Sequence, residues 1–496
     1  MPDVPDSAPR NAPSHFKNWL SLAGAITALG SLFAFVFLVA IDTFTHVRNP
    51  YVGILTYIVA PAFLILGLLF IFGGWWWQRR QARRHPETGG AFSLSIDLSR
   101  PRDRHYLFAF GSGAIVFLLM TAFGSYQTYH FTESVEFCGE TCHTVMQPEF
   151  TAYQHSPHAR VSCAECHIGA GASWYVKSKI SGAYQVYATI FNKYEHPIPT
   201  PVQNLRPAQE TCERCHWPEA FTGSLDRSYV HYLSDKNNTP YTVRLSLRVG
   251  GGQPSEGFFG GIHWHMNVAN RVEYFASDAQ RQVIPWIRMT SLTTGEVRTY
   301  RSPDFKGDPP ADRIRVMDCI DCHNRPAHAF KTANQAVETD MALGKISTRL
   351  PYIKQTAVAA LTGKYSTDDQ AMEGIATTLR AKYKTGEDLS PTIAAVQAVY
   401  RENFFPQMKS DWRMYPNNIG HKDWPGCFRC HDNKHRTADG QETVRSSDCN
   451  ACHTILAQGA GEDLLKLTPQ GTKFKHPGGD LDPDTTCSDC HNGGNQ

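Results

Sequence analysis

One short pattern recurs seven times along this chain. All fourteen cysteines fall in pairs, and each pair is followed directly by a histidine. Six pairs have the spacing Cys-x-x-Cys-His: Cys163 and Cys166 with His167, Cys212 and Cys215 with His216, Cys319 and Cys322 with His323, Cys427 and Cys430 with His431, Cys449 and Cys452 with His453, and Cys487 and Cys490 with His491. The remaining copy, first in the chain, is one residue longer: Cys138 and Cys142 with His143. Chance would give roughly 0.02 copies in this composition, and the spacing is that of c-type haem attachment. Two thiols add to the haem vinyl groups while the adjoining His offers a proximal nitrogen to iron. Zinc would need four ligands gathered from two pairs, without a His after every second Cys. A thioredoxin-like redox pair would be single, and disulfides leave the histidines unexplained. The pattern therefore predicts about seven covalently bound haem c groups, and a chain that folds around porphyrin as much as around aliphatic side chains.

A low-spin haem takes a second axial ligand, usually His or Met. Of 22 histidines, seven belong to the motifs and four (His15, His46, His85, His105) lie among apolar segments, leaving eleven to choose from. From these, His265, His421, His435 and His476 are expected as distal ligands.

Three apolar runs precede the first motif: 19–41, 51–77 and 106–126. Each is long enough to cross a hydrocarbon layer of about 30 Å. Trp19, Trp75, Trp76, Trp77, Tyr106 and Tyr126 mark their ends, as interface anchors do. The loop 78–105 carries Arg79, Arg80, Arg83, Arg84, Arg100, Arg102 and Arg104, whereas the loop 42–50 carries only Arg48. The positive-inside rule then puts residues 1–18 and the Arg-rich loop in the cytoplasm. Three crossings deliver everything after Tyr126 to the periplasmic side, where c-type attachment takes place. The first run reads as an uncleaved signal anchor. None of the runs has a His at its centre, which argues against a haem held within the bilayer. The formal net charge of +2 offers no basic excess for nucleic acid.

The exported part divides into 127–216 with three motifs, a β-rich and motif-free insert at 217–318, and 319–496 with four motifs. A helix is expected near Trp174–Phe191. The alternation Tyr241–Val249 predicts a strand, and Thr293–Val297 a hairpin turn. Further helices are expected near 355–361 and 368–383. The fold class is thus mainly α: three transmembrane helices, then a haem-packed periplasmic domain with a small β-rich insert. Cys138 follows the third run by about a dozen residues. Continued helix there would set the first haem only ~15–20 Å above the membrane edge. The run Trp174–Tyr184 mixes aromatics with Lys177 and Lys179, suiting either a helix on the membrane surface or one packed on haem.

The segment 138–167, CGETCHTVMQPEFTAYQHSPHARVSCAECH, resembles the start of the NapC/NirT/NrfH family of membrane-anchored quinol dehydrogenases, and the motifs at 212–216 and 319–328 resemble its third and fourth. The segments Asn418–His421 and Gly426–His435 resemble long seven-haem inner-membrane cytochromes. The resemblance implies Met146 as an axial ligand of the first haem, His158 and His328 as distal ligands, and a quinol docked beside the first haem near Lys177 and Lys179. Three features differ from the family pattern: the extra residue in the first motif, three apolar runs in place of one, and Ser181 where an acidic residue often stands.

On this likeness the chain is an oxidoreductase of anaerobic respiration. It would take electrons from membrane quinol through its haems to periplasmic cytochromes, a terminal reductase or extracellular acceptors. Two other readings stay open: a terminal reductase of a small oxyanion, which needs a haem with an open distal position, and a non-catalytic haem wire within a larger respiratory complex.

Overall fold

The computed structural model describes residues 19–45, 55–84, 99–141, 143–169, 172–202, 206–217, 221–250, 260–384, 388–445, 449–482 and 485–494. The expected cytoplasmic segment 1–18, and 85–98 of the Arg-rich loop, lie outside these. Two compact units divide the chain, Met1–Thr141 and Cys142–Gln496.

The first unit contains α1 (Trp19–Thr45), α2 (Ala60–Arg84) entered through a π-helical turn Leu55–Val59, and α3 (Pro101–Thr132). Lipid offers little hydrophobic drive between helices, so close backbone approach through small residues has to hold them. Ser21, Gly24, Ala28 and Ser31 recur at spacings of three and four, which places them on one face of α1. They meet Ala60, Gly67 and Gly74. A Cβ added at Gly24 would lie 2.6 Å from the Gly67 carbonyl oxygen, so no larger residue fits there. The Ser31 hydroxyl donates to the Ala60 carbonyl. Phe35 is buried and packs edge-on against Tyr57 and Phe117, and the Ser125 hydroxyl donates to the Tyr57 carbonyl at 3.1 Å. These contacts bring α3 onto the pair.

Among the described residues two segments have the length and hydropathy to cross a membrane, Trp19–Ala40 and Leu55–Gln78. Their apolar side chains point outward, with Phe33, Leu69 and Phe72 among the exposed. Of the second expected run, 51–54 lie outside the described residues. The third run lies inside α3, whose first turn holds Arg102, Asp103 and Arg104 and is therefore polar.

The second unit starts with α4 (His143–Gln154) and α5 (Ala172–Ile190). Six strands follow: β1 (Ser224–Tyr232), β2 (Pro240–Arg248), β3 (Asn270–Phe275), β4 (Trp286–Ser291), β5 (Val297–Arg301) and β6 (Arg315–Val316). The motif-free stretch is β-rich as expected, but it does not close on itself. One sheet has the order β5-β4-β3-β6; the other is β1-β2-β7, where β7 (His453–Gly459) begins at the histidine of the sixth motif. In the antiparallel register Leu247 pairs with His453, so strand pairing ties the stretch directly to a motif.

Between the fourth and fifth motifs lie α6 (Ala333–Ala342), α7 (Ile353–Leu361), α8 (Asp368–Lys382) and α9 (Ser390–Asn403). Thr332 caps α6 in a reciprocal box with Gln335, and Thr367 caps α8, each satisfying a backbone N–H that the first helical turn leaves unpaired. Val337, Ile353, Leu361, Ile375, Leu379 and Val396 meet in the largest apolar core of the chain. The aliphatic core is thus more concentrated, and more separate from the motifs, than their density along the sequence suggested. The Trp412 indole on its edge donates to the Asn492 carbonyl at 2.9 Å, which ties the last motif to this bundle.

Candidate functional site

Attachment of a porphyrin by two thioethers needs both cysteines on one side of a short turn with the histidine next to them. Five of the motifs take that form. Cys163–His167, Cys319–Cys322, Cys449–Cys452 and Cys487–Cys490 are single helical turns, and Gly426–Arg429 is a 3₁₀ turn. Local side chains start them. Asp318 and Asp321 form a reciprocal cap on the fourth motif, and Thr486 and Asp489 on the seventh.

The motif histidines are not left alone. His167 faces His328 with ring centroids 6.2 Å apart, and His216 faces His158 at 6.1 Å. His323 faces His263 at 6.2 Å, His431 faces His265 at 5.8 Å, His453 faces His421 at 6.2 Å and His491 faces His476 at 6.1 Å. Two metal–nitrogen bonds of about 2 Å, with a ring radius of about 1.1 Å at each end, span about 6.2 Å. Six imidazole pairs at this separation fit an iron between them, and stacking contact alone would draw rings closer. The donor set fits haem c with two axial histidines.

A metal-bound imidazole usually donates its other ring N–H to a carbonyl or carboxylate, which fixes the tautomer. His158 Nδ1 faces the Pro326 carbonyl at 3.1 Å, His328 Nδ1 the Glu149 carbonyl at 3.0 Å, and His263 Nδ1 the Val249 carbonyl at 3.2 Å. His265 Nδ1 faces the Ile262 carbonyl at 3.0 Å, and His431 Nδ1 the Arg445 carbonyl at 3.1 Å. Each ring thereby keeps Nε2 for a metal. Nδ1 of His421, His453 and His491 is buried without a partner among the described residues. At His476 the Gly478 N–H points at Nδ1 instead. Burial pushes His263, His265, His323, His421 and His453 below the ordinary imidazole range, which keeps them neutral, the form with a lone pair to give.

Two sequence expectations meet a different arrangement. His435 is buried but faces no motif histidine among the described residues: Nδ1 lies 2.9 Å from Asp432 and Nε2 2.7 Å from the Ile284 carbonyl. Both nitrogens are spent on oxygen acceptors, so the ring is an anchor between a motif and a strand end, not a ligand. His263, outside the expected set, stands in the sixth pair. Its signal was the sequence His-Trp-His at 263–265, two histidines flanking a core aromatic in a stretch with no motif of its own. Cys142 and the side chain of His143 lie outside the described residues. Met146 follows His143 by three positions on α4, one turn on, and is partly buried.

On α5 the Lys177 ammonium stands 4.5 Å over the Trp174 ring, and that of Lys179 stands 4.9 Å over Tyr175. Ile180, Tyr184, Tyr187 and Phe191 form an exposed stripe at helical spacing. Ser181 accepts from Gln185 at 3.4 Å.

The motifs also touch one another in succession. Cys166 lies near Cys212, Cys212 beside Cys319, and Cys322 near Cys427. The Ala208 N–H donates to Asp318 at 2.9 Å, joining the third turn to the fourth. Arg429, inside the fifth motif, donates to the Asp321 carbonyl at 2.8 Å. Motifs two to five therefore run in spatial order.

Repeated attachment turns, paired histidines and contact from one motif to the next together define a multihaem c-type cytochrome. Its apolar helices suit a membrane anchor. Residues 100–201 match the N-terminal region of the NapC/NirT cytochrome c family. The chain is 39% identical to the cytochrome c-type protein ImcH of Geobacter sulfurreducens, over 97% of its own length and 96% of that protein. It is 36% identical to the cytochrome c-type protein NrfH of Wolinella succinogenes over 78 residues, 15% of this chain and 44% of that one. The chain belongs to the NapC/NirT cytochrome c family, and like that family it is an electron-transport protein with covalently bound haem c. No solved structure matches it.

Proposed function

We propose that this protein is a quinol dehydrogenase that carries electrons from the membrane quinol pool through seven haems to a periplasmic or extracellular acceptor. The observation that carries the reading is the set of six histidine pairs 5.8–6.2 Å apart on motifs that adjoin one another. Haem c bound at each motif supplies a one-electron iron couple, and neighbouring motifs pass the electron on.

The chain's own residues do the rest. His158, His263, His265, His328, His421 and His476 close the distal side of their motifs, and the carbonyls behind them hold the rings in place. This arrangement weighs against a terminal reductase of a small oxyanion, because at each of the six paired motifs a second histidine stands where a substrate would have to bind. At the entry end, α3 makes a third crossing, its exposed Phe108, Ile115, Leu119 and Phe123 facing lipid. The haem-bearing unit stands in the periplasm, and the first motif begins six residues after α3 ends. Met146, one turn after His143, would offer its sulfur to the iron of a haem held there. Lys177 and Lys179, held over aromatic rings, donate hydrogen bonds to a quinol oxygen. Each quinol gives up two electrons to the chain and two protons to the outer side.

The test is reduction of the oxidised, detergent-solubilised protein by a menaquinol analogue, followed at the haem α-band by stopped flow. Saturable reduction that falls at least tenfold in Lys177→Ala/Lys179→Ala is expected. A protein that dithionite reduces but quinol does not would be a wire fed by a partner, and the reading would fail.

A further inference from the structure

The turn Ile262–Met266 presents two histidines to two different motifs. We infer that this one turn of the motif-free β region is a double ligand donor, with His263 closing the haem of the fourth motif and His265 that of the fifth. The inference rests on the two-histidine reading above but not on quinol as the electron source.

The turn is held from three sides. Gly261 enters it at φ +89°, and a Cβ there would sit 2.5 Å from the Arg248 carbonyl oxygen, so only glycine lets the chain pass so close to the end of β2. The His263 N–H and Nδ1 both face the Val249 carbonyl at 3.2 Å, fastening the turn to that same strand. Beyond it, the Asn267 N–H and the Asn270 side chain both donate to the Trp264 carbonyl. Trp264 itself packs on the core of the β5-β4-β3-β6 sheet, Val272, Tyr274, Ile284 and Ile287, a cluster that also reaches Met317 and Cys430. The indole is thus the peg, and the histidines on either side of it are what it aims. Ligands two residues apart cannot hold their irons farther apart than ~20 Å. The short turn therefore sets the spacing of one step in the electron path.

The two ring pairs differ in a way that can be measured. The His263 and His323 planes are 2° from parallel, and those of His265 and His431 are at 90°. The angle between axial imidazoles sets the splitting of the two iron orbitals that overlap with them. Near-parallel rings give a rhombic low-spin electron paramagnetic resonance signal, whereas perpendicular rings give a single feature at much larger g.

The experiment compares resonance spectra of the oxidised full-length protein in detergent with those of His263→Ala and His265→Ala, haem content being checked by pyridine haemochrome. In His263→Ala one haem in seven is expected to turn high-spin at the expense of a rhombic component. In His265→Ala one haem is expected to do so at the expense of a large-g component. The inference is overturned if either variant keeps all its haems low-spin, or if both remove the same component. Should an alanine variant fail to assemble, His263→Met and His265→Met replace it, each expected to add one iron–sulfur charge-transfer band in the near infrared. Absence of the band in an assembled variant refutes the assignment. Unaltered protein that is mostly high-spin would sink the general two-histidine reading, an outcome distinct from these.

Discussion

Asp321, inside the fourth motif, carries more of the fold than its place between two attachment cysteines suggests. Its carboxylate is 3% exposed and accepts from Arg281 at 3.1 Å, Arg315 at 3.0 Å, the Tyr274 hydroxyl at 2.7 Å and the Asp318 N–H at 2.8 Å. Burial first, and then this carboxylate, push the Tyr274 phenol above its ordinary range, so it stays a donor. Asp321→Ala leaves two guanidinium groups and a phenol facing a void. Breaking a buried charge pair from one side costs about 3–5 kcal/mol. Unfolding entropy of ~2.1 cal/mol/K per residue, over the 355 residues of the second unit, converts that loss to a fall of about 5 °C in Tm. Asp321→Asn keeps the shape but turns an amide N–H toward two cations, and a loss of about 2 kcal/mol or more is expected. The assay is thermal unfolding of the detergent-solubilised protein, followed by circular dichroism in the Soret region and in the far ultraviolet. Because the pairs are buried, the difference should persist at high salt. If both variants melt within about 1 °C of the parent protein, Asp321 does not hold the β5-β4-β3-β6 sheet to the motif and the reasoning fails.

His435→Ala should leave every haem low-spin while lowering Tm, whereas His421→Ala should turn one haem high-spin; resonance spectra of the two variants decide. Glu338 accepts from His231 and from the buried Lys354 at 2.9 and 2.8 Å. Burial alone would raise its pKa, but these partners and Lys422 bring it down to about 2 from the usual 4.5. The unfolded chain therefore takes up this proton first on acidification. A contribution of about 3 kcal/mol, complete above pH ~4.5, should fade as pH falls toward 2, and Glu338→Gln should flatten melting curves in that window. Gly67→Leu forces a side chain into the α1 backbone and should destabilise the helical pair by about 1–3 kcal/mol. This would be read as lost yield of membrane-integrated protein and a lower detergent melt of the first unit.

Attachment chemistry is local, so the cysteines and their adjoining histidines were readable from spacing alone. Helix and strand periods were also local, and α5, α7, α8 and β2 lie where the pattern of apolar residues placed them. Distal pairing is not local. Which of eleven histidines faces which motif depends on strand register and on loops that return from far along the chain. His435 sits in a motif-like setting but is claimed by Asp432 and a strand carbonyl, while His263 is delivered by the end of β2 and a glycine at positive φ. Nor could spacing show that β7, starting at a motif histidine, completes a sheet begun two hundred residues earlier. The bundle α6–α9 was half visible: its apolar periodicity announced two helices, and burial of all four against one another made the core.

The histidine pairs are closed across the sequence. His328, which faces the second motif, follows the fourth, and the ring of His158 leans on the Pro326 carbonyl, 168 residues later. A chain synthesised from its N-terminus would present the second attachment site long before His328, the partner of its histidine, has been made. Early in biogenesis that centre would be half-built and open to solvent on one side, while the third would have its partner His158 already in hand but not the carbonyl that steadies it. Release of a finished cytochrome would be gated by arrival of the fourth motif, and a chain truncated before Asp318 would leave the haem of the second motif reactive and not merely leave the protein with fewer haems.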